Sequence, residues 1–164
     1  MNLPPYSQFP QLTGDGILLR EVLPADIPAL IPISFYDGKP ATTFAEATEM
    51  QVRIDKDYAD RNSIHWCIVD TATSQITGTL GYYRGFANNT GELGFVLLPR
   101  YQGKGYMSKA INLAVNFGLD IIGLSRVTAI TTKQNLKAVQ LLTRLNFAKV
   151  KELNEDEVEY ETVA

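Results

Sequence analysis

Residues 91–118, GELGFVLLPRYQGKGYMSKAINLAVNFG, decide how this chain is read. An apolar strand, Leu93 to Leu98, runs into Pro99. A loop with closely spaced glycines follows, Arg100-Tyr-Gln-Gly103-Lys-Gly105-Tyr, and then a helical pattern with apolar or small residues at 107, 110, 111, 114, 115 and 118. Glycines between a strand and a helix start let the backbone turn tightly, leaving several N–H groups free to converge on an anion. The helix's positive end adds to that attraction. The expected ligand therefore carries phosphate. Two phosphate motifs fail on inspection. The dinucleotide fingerprint G-x-G-x-x-G finds Ser108 at its third glycine, and the Walker A pattern G-x-x-x-x-G-K-[ST] is absent.

What remains is R-x-x-G-x-G, carried by Arg100, Gly103 and Gly105. In this the chain resembles the GNAT superfamily of N-acetyltransferases, whose acyl-CoA signature is Q/R-x-x-G-x-G/A at the junction of the fourth strand and the next helix. A second block agrees. Asn135-Leu-Lys-Ala138-Val-Gln-Leu-Leu-Thr-Arg-Leu-Asn146-Phe147 resembles the family's N-x-x-[SA]…G-F segment at the expected distance downstream. The resemblance runs from about Gly16 to the late 150s, and the closest branch looks like the ribosomal-protein N-terminal acetyltransferases.

The 164 residues, 45% hydrophobic and 20% charged, suit one domain over residues 1–164 with a proper core. No run reaches the length of a membrane span, and the first residues, MNLPPYSQFP, lack the pattern of a signal peptide, so a cytoplasmic setting is the default expectation with no membrane partner. The net charge of -3 and an acidic run from Glu152 to Glu159 speak against a nucleic-acid surface and leave room for a cationic acceptor. The single cysteine, Cys67, lies in the apolar run His65-Trp-Cys-Ile-Val and reads as a small buried hydrophobe. One histidine, His65, without a cysteine cluster gives no metal site.

Along the chain, Gly16–Val22 reads as a strand, Pro24–Leu30 as a short helix or turn, and Ser34–Pro40 as a loop with two unusually large aromatics. Thr43 with Glu46 predicts a capping box opening a helix to about Asp60, with its buried stripe at 44, 47, 50, 54 and 58. Strands follow at 64–69 and 76–83, then the strand entering the glycine loop. Further on come a strand at 127–131, a helix at 135–145, and two short final strands near 147–151 and 157–162. Together these give a mixed α/β fold, a mostly antiparallel central sheet flanked by helices, consistent with the acyl-CoA N-acyltransferase fold that the resemblance implies.

The resemblance also implies a reaction: an amine attacks the thioester of acetyl-CoA directly, with acetyl-CoA as co-substrate and no metal. It places pyrophosphate on the N–H groups of Gln102, Gly103, Lys104 and Gly105, with Tyr106 and Met107 opening the helix beneath. A bulge or splay in the strand at Val96, Leu97 and Leu98 would offer backbone to the pantetheine arm, and Arg100 and Lys104 would add positive charge. Asn135 is read both as a pantetheine contact and as the N-cap of the next helix. Glu92, at the start of the fourth strand, is the expected general base; its alternative is an ion pair with Arg84 across the sheet. The ribosomal branch uses a serine where this chain has Ala138, so the general acid is left open. Lys109 and Asn146 also depart from the pattern. His65 reads as packing or a satisfied hydrogen bond before acceptor duty. Phe35, Tyr36 and Tyr83 are expected to wall the acceptor pocket, with Tyr82 pointing to the opposite face. The acceptor, a protein N-terminus or a small amine, stays open, as does a homodimer beside a monomer. A non-catalytic acyl-CoA-binding or sensing domain is the alternative function.

Overall fold

Short strands joined by turns rich in Gly, Asn and Asp build an eight-stranded main sheet and a separate two-stranded one. In the computed structural model, which describes residues 1–164, β1 (Leu12–Gly14) and β2 (Ile17–Arg20) form a hairpin. Next come α1 (Ile27–Leu30), a small hairpin of β3 (Phe35–Tyr36) and β4 (Lys39–Pro40), and α2 (Phe44–Ala59). The strands β5 (Ile64–Asp70), β6 (Gln75–Tyr83) and β7 (Thr90–Leu97) make an antiparallel meander. Then α3 (Tyr106–Asn116), β8 (Arg126–Thr132), α4 (Leu136–Arg144), β9 (Ala148–Glu152) and β10 (Glu157–Val163) complete the chain. The main sheet has eight strands in the order β1-β2-β5-β6-β7-β8-β10-β9, and only the β7–β8 pair is parallel. No helix is long and apolar enough to cross a membrane.

Period-two alternation gives the central strands two different faces. Ile64, Trp66, Ile68, Leu80, Tyr82 and Leu93 join Met107, Ala110, Ile111 and Ala114 of α3 in the 22-residue main core. Trp66 is fully buried, and its indole N–H donates to Pro10 O at 2.9 Å, which pins the N-terminal segment to the core. On the opposite face Cys67 and Val69 meet Val22 and Leu30, while Ile27, Ala41 and Ala47 form a third cluster. Burial pushes the Cys67 thiol up to about 12, as befits an inert packed thiol.

The elements expected from the sequence are present, with five differences. The loop expected at Ser34–Pro40 contains the β3–β4 hairpin, turned by Asp37 (φ 52°) and Gly38 (φ 74°); an Asp-Gly pair takes up the left-handed angles that a tight hairpin needs. β1 was not anticipated, because three residues carry too little pattern. Thr43 caps α2 by accepting from the Glu46 N–H at 3.1 Å, but the Glu46 carboxylate turns to the hydroxyls of Thr42 and Thr43 instead of closing the box. Phe44, placed in the buried stripe by spacing, is exposed at the first residue of α2.

The fifth difference lies at the end of α3, where the helix widens into a π-helical turn over Phe117–Ile122 before stopping at Gly123 (φ 86°). The cause is a side chain inserted into the helix ladder. Tyr82, fully buried, donates its hydroxyl to Ala114 O at 2.7 Å, the carbonyl that Gly118 N–H would take in a regular helix. A Cβ at Gly118 would lie 2.2 Å from that hydroxyl oxygen. Replacement of Tyr82 by Phe therefore removes a buried hydrogen bond while keeping the ring. Urea unfolding is expected to show a loss of about 1 kcal/mol at unchanged m-value. Gly118→Ala, which forces the hydroxyl away, is expected to cost more than Tyr82→Phe in the same measurement.

Candidate active site

The glycine loop is held from below by tyrosines. After β7, the Leu98 N–H donates to Thr77 O at 2.9 Å and its carbonyl accepts from Tyr101 N–H at 2.9 Å, so both backbone groups of Leu98 are occupied. Tyr101 is buried and donates to Gln75 Oε1 at 2.5 Å; Tyr106 donates to Asp70 Oδ2 at 2.6 Å. The two rings meet edge to face at 5.8 Å. These contacts clamp the loop to the β5–β6 turn. Gly103 (φ 75°) and Gly105 (φ 84°) both adopt the left-handed conformation that turns the chain into α3. The N–H groups of Gly103 through Ser108 donate to no acceptor in the protein. Six donors thus gather at the start of an eleven-residue helix, where the dipole favours an anion. Above them Arg100 and Lys104 stand 4.8 and 6.0 Å from the Tyr101 ring. Of the residues expected at this point, Gln102, Gly103, Lys104 and Gly105 are exposed, while Met107 has its side chain in the core and Tyr106 points its side chain at Asp70; both present only their N–H groups.

A gap opens beside β7. It pairs with β8 at Thr90–Arg126, Gly91–Val127 and Glu92–Thr128 and no further, although β7 continues to Leu97 and β8 to Thr132. The β6–β7 register is unbroken from Tyr83–Glu92 to Gly78–Leu97, so the strand is splayed and not bulged. The Leu98–Thr77 bond sets the phase of that ladder. Glu92, Gly94 and Val96 turn their backbone groups toward β6, while Leu93, Phe95 and Leu97 turn theirs into the gap. Unpaired strand edges in mid-sheet demand a partner. Asn135 lies at the far side, beyond β8; its Oδ1 accepts from Ala138 N–H at 3.2 Å, the N-cap role, and its side-chain amide nitrogen is left free.

On the face away from α3, a cleft of about 1060 Å³ lies between β5–β7 and the wall made by α1, the β3–β4 hairpin and α2. It brings together Phe35, Tyr36, Tyr83, Glu92 and Val96, five of the residues the sequence singled out. The glycine loop and Asn135 lie outside it, and β7 is the wall common to the cleft and the gap. Phe35 is 59% exposed. Tyr36 donates to Asp57 Oδ2 at 2.9 Å, with the Arg53 guanidinium 5.6 Å above its ring. Tyr83 Oη and His65 Nδ1 stand 2.5 Å apart. Burial drives the His65 pKa down to about 4, so the imidazole is neutral, and burial raises the Tyr83 hydroxyl, so it keeps its proton. Ser63 Oγ, buried on the same lining, has no hydrogen-bond partner.

Glu92 is opposite Tyr83 in the ladder and half-buried. Burial raises its pKa; Arg84, 3.3 Å away, opposes the rise, and Glu159 and Glu157 add to it. The ion pair considered from sequence is therefore present, on a carboxylate that still holds its proton to higher pH than an ordinary one. Sequence reasoning did not reach the His65–Tyr83 contact, Asp57 or Ser63. The first joins residues whose relation depends on the β5–β6 register, His65 opposite Gly81, which no local pattern reveals.

A family model for the acetyltransferase (GNAT) domain matches residues 17–148. Among curated proteins, an uncharacterized N-acetyltransferase of Bacillus subtilis, YoaA, is 25% identical over 149 residues, covering 86% of this chain and 84% of its own. The spermidine N(1)-acetyltransferase of Escherichia coli is 34% identical over 62 residues, covering 38% of this chain and 33% of its own. Among solved structures, the dodecameric spermidine N-acetyltransferase of Vibrio cholerae superposes with a TM-score of 0.76 at 20% identity, covering 90% of this chain and 94% of that one. The ribosomal-protein-S5-alanine acetyltransferase of Vibrio fischeri gives 0.75 at 20% identity, covering 93% and 96%. At these identities the superpositions speak for the fold.

The neutral His65 has a measurable consequence for stability. Its pKa falls from 6.5 in the unfolded chain to about 4 in the fold. Between those values the unfolded chain binds more protons, so this contribution is complete above the unfolded value and is lost as pH falls through the window. Urea midpoints measured across that range are expected to decline with falling pH. His65→Gln, which cannot titrate, is expected to flatten the decline; an unchanged slope would refute the assignment.

Proposed function

The chain belongs to the acetyltransferase (GNAT) family and is an N-acetyltransferase, and from that premise we propose that it moves an acetyl group from acetyl-CoA to a primary amine by direct attack. The observation that carries the reading is the gap beside β7, which adjoins the amine cleft on one side and runs toward the helix-start donors at its end. Pyrophosphate fits the free N–H groups from Gly103 to Ser108, with Arg100 and Lys104 supplying positive charge. The pantetheine arm pairs with the backbone of Leu93, Phe95 and Leu97 as an added strand would. The acceptor enters the cleft past Phe35 and Tyr36.

In the proposed reaction Glu92 takes a proton from the bound ammonium, directly or through water. The freed nitrogen lone pair forms the C–N bond at the thioester carbonyl, the C–S bond breaks and the thiolate leaves, and the nitrogen gives up its second proton as the amide forms. Backbone N–H groups at the gap edge meet the oxygen as its charge grows. Ala138 offers no hydroxyl, so water relays that second proton from the nitrogen to the thiolate, and Glu92 returns the first to solvent. Holding amine and thioester on either side of one strand supplies much of the rate gain. The second reading, a domain that binds acyl-CoA without turnover, is favoured by Ala138 and by the pairing of Glu92 with Arg84. An acceptor-dependent assay of CoA release across peptides, polyamines, amino acids and aromatic amines separates the two: at least one amine is expected to give release, and tight CoA binding with no release from any would select the second reading.

Calorimetry is expected to give one CoA bound per chain. Gly103→Val is expected to abolish that binding in a folded protein, since no protein atom lies within 4 Å of the added Cβ while φ 75° excludes a β-branched residue.

Glu92→Gln is expected to lower turnover at neutral pH, with CoA affinity unchanged and the loss shrinking as pH rises and more amine is already free. Arg84→Ala removes the charge that holds the Glu92 pKa down. The acid limb of the kcat/KM profile is therefore expected to move to higher pH in that variant; a stationary limb would transfer the role of base to another group.

A further inference from the structure

Glycines in ordinary strand conformation need a reason other than backbone freedom. Gly81 and Gly94 are such residues: they face each other across β6 and β7, and neither has a positive φ. At Gly81 a Cβ would meet the backbone of β5, at 2.5 Å from Ile64 O, and the Tyr83 ring at 3.0 Å. At Gly94 it would meet nothing within 4 Å except that ring, at 2.9 and 3.0 Å. The Tyr83 ring therefore lies along the sheet, over the space that two missing side chains vacate. Its hydroxyl ends at His65 Nδ1, 2.5 Å away on the next strand. Three strands thus fix one ring: Gly94 and Gly81 form its seat, and His65 latches its tip.

A ring pressed against the sheet on one face turns its other face to the cleft. It lies beside Glu92, the residue across the ladder from Tyr83. The opposite wall is apolar over much of its extent, with Leu30, Ile33, Ala47, Met50 and Ile54. The lining has three carboxylates. Glu92 is paired with Arg84, Asp57 accepts from Tyr36, and Asp37 lies exposed at the hairpin turn. A polyamine needs several free anions spaced along its length; this surface offers one proton acceptor for the amine and an aromatic and aliphatic surface for the rest. We propose that Tyr83, seated on Gly81 and Gly94 and latched by His65, is the specificity-determining floor of the acceptor site and selects a primary amine carried on an apolar aryl or alkyl body. This rests on the acetyl-transfer reading above. His65 acts through Tyr83 and is a positioning residue.

The test is a double-mutant cycle with phenethylamine as the probe amine, read as KM and kcat for acceptor-dependent CoA release. Gly94→Ala lifts the ring into the cleft, and is expected to raise the phenethylamine KM about tenfold with the acetyl-CoA KM within about twofold of wild type. Tyr83→Ala is expected to raise it comparably, and Gly94→Ala/Tyr83→Ala no further than Tyr83→Ala, because the added methyl then has nothing to displace. His65→Ala and Tyr83→Phe are expected to match one another and their double variant. Multiplying effects in either cycle, an unchanged KM in Gly94→Ala, or an equal rise in the acetyl-CoA KM would overturn the floor. Wild type preferring spermidine or an N-terminal peptide to phenethylamine by kcat/KM would overturn the acceptor class while leaving acetyl transfer intact. If wild type binds CoA but acetylates no amine, the acetyl-transfer reading fails by itself. The floor is then judged by calorimetry of phenethylamine on the CoA complex, where binding lost in Gly94→Ala sustains it and no binding by wild type refutes it.

Discussion

Backbone hydrogen bonding in a sheet interior is nearly obligatory, and the gap between β7 and β8 is where this protein leaves it unfulfilled. The two strands pair for three residues and then part. Neither is left loose: β7 stays in unbroken register with β6, and β8 pairs with β10 along its whole length. The divergence is thus enforced from both sides by antiparallel ladders, which makes the opening a rigid feature and not a frayed edge. The rest of the molecule is arranged around it. The strand that borders it leads into the glycine loop, the helix beyond carries the free donors, and the cleft on the other face shares β7 as a wall.

The electrostatics follow the same division. Around the glycine loop the unpaired groups are N–H donors and two cations; within the cleft the ionisable groups are mostly acids, with Arg84 as their partner at Glu92. One end of the site therefore favours an anion and the other an ammonium group. The separation is maintained by a single strand, with no metal-binding cluster of His, Cys, Asp or Glu in the chain.

Much of this was legible in the sequence because it depends on local chemistry. Left-handed glycines at 103 and 105, the Thr43 cap, and the opposite faces of Tyr82 and Tyr83 are consequences of spacing and side-chain type, and all are found in the fold. What could not be read depends on register between distant segments. The phase that occupies the backbone of Leu98 and frees that of Leu97 is set by Thr77, and the seat of Tyr83 is set by residues on three strands. The β3–β4 hairpin is a different case: Asp37-Gly38 is a turn signal of known geometry, and strands of two residues on either side carry no alternation to mark them. The absence of a bulge in β7 is a third kind, since a splay and a bulge satisfy the same sequence and only the continuous pairing with β6 separates them.

Tyr82 and Tyr83 are neighbours in sequence that serve opposite sides of the sheet, one reaching into α3 and the other lining the cleft. Because side chains alternate with a period of two, a one-residue insertion or deletion within β6 would exchange their faces and remove both anchors together. The same length change in the β3–β4 turn or in the Gly85–Asn89 connection would leave every strand in place. This chain therefore divides into a part whose length is fixed and a part whose length is free. Lineages descended from it would be expected to diversify by loop insertions around the cleft, with β6 unchanged in length.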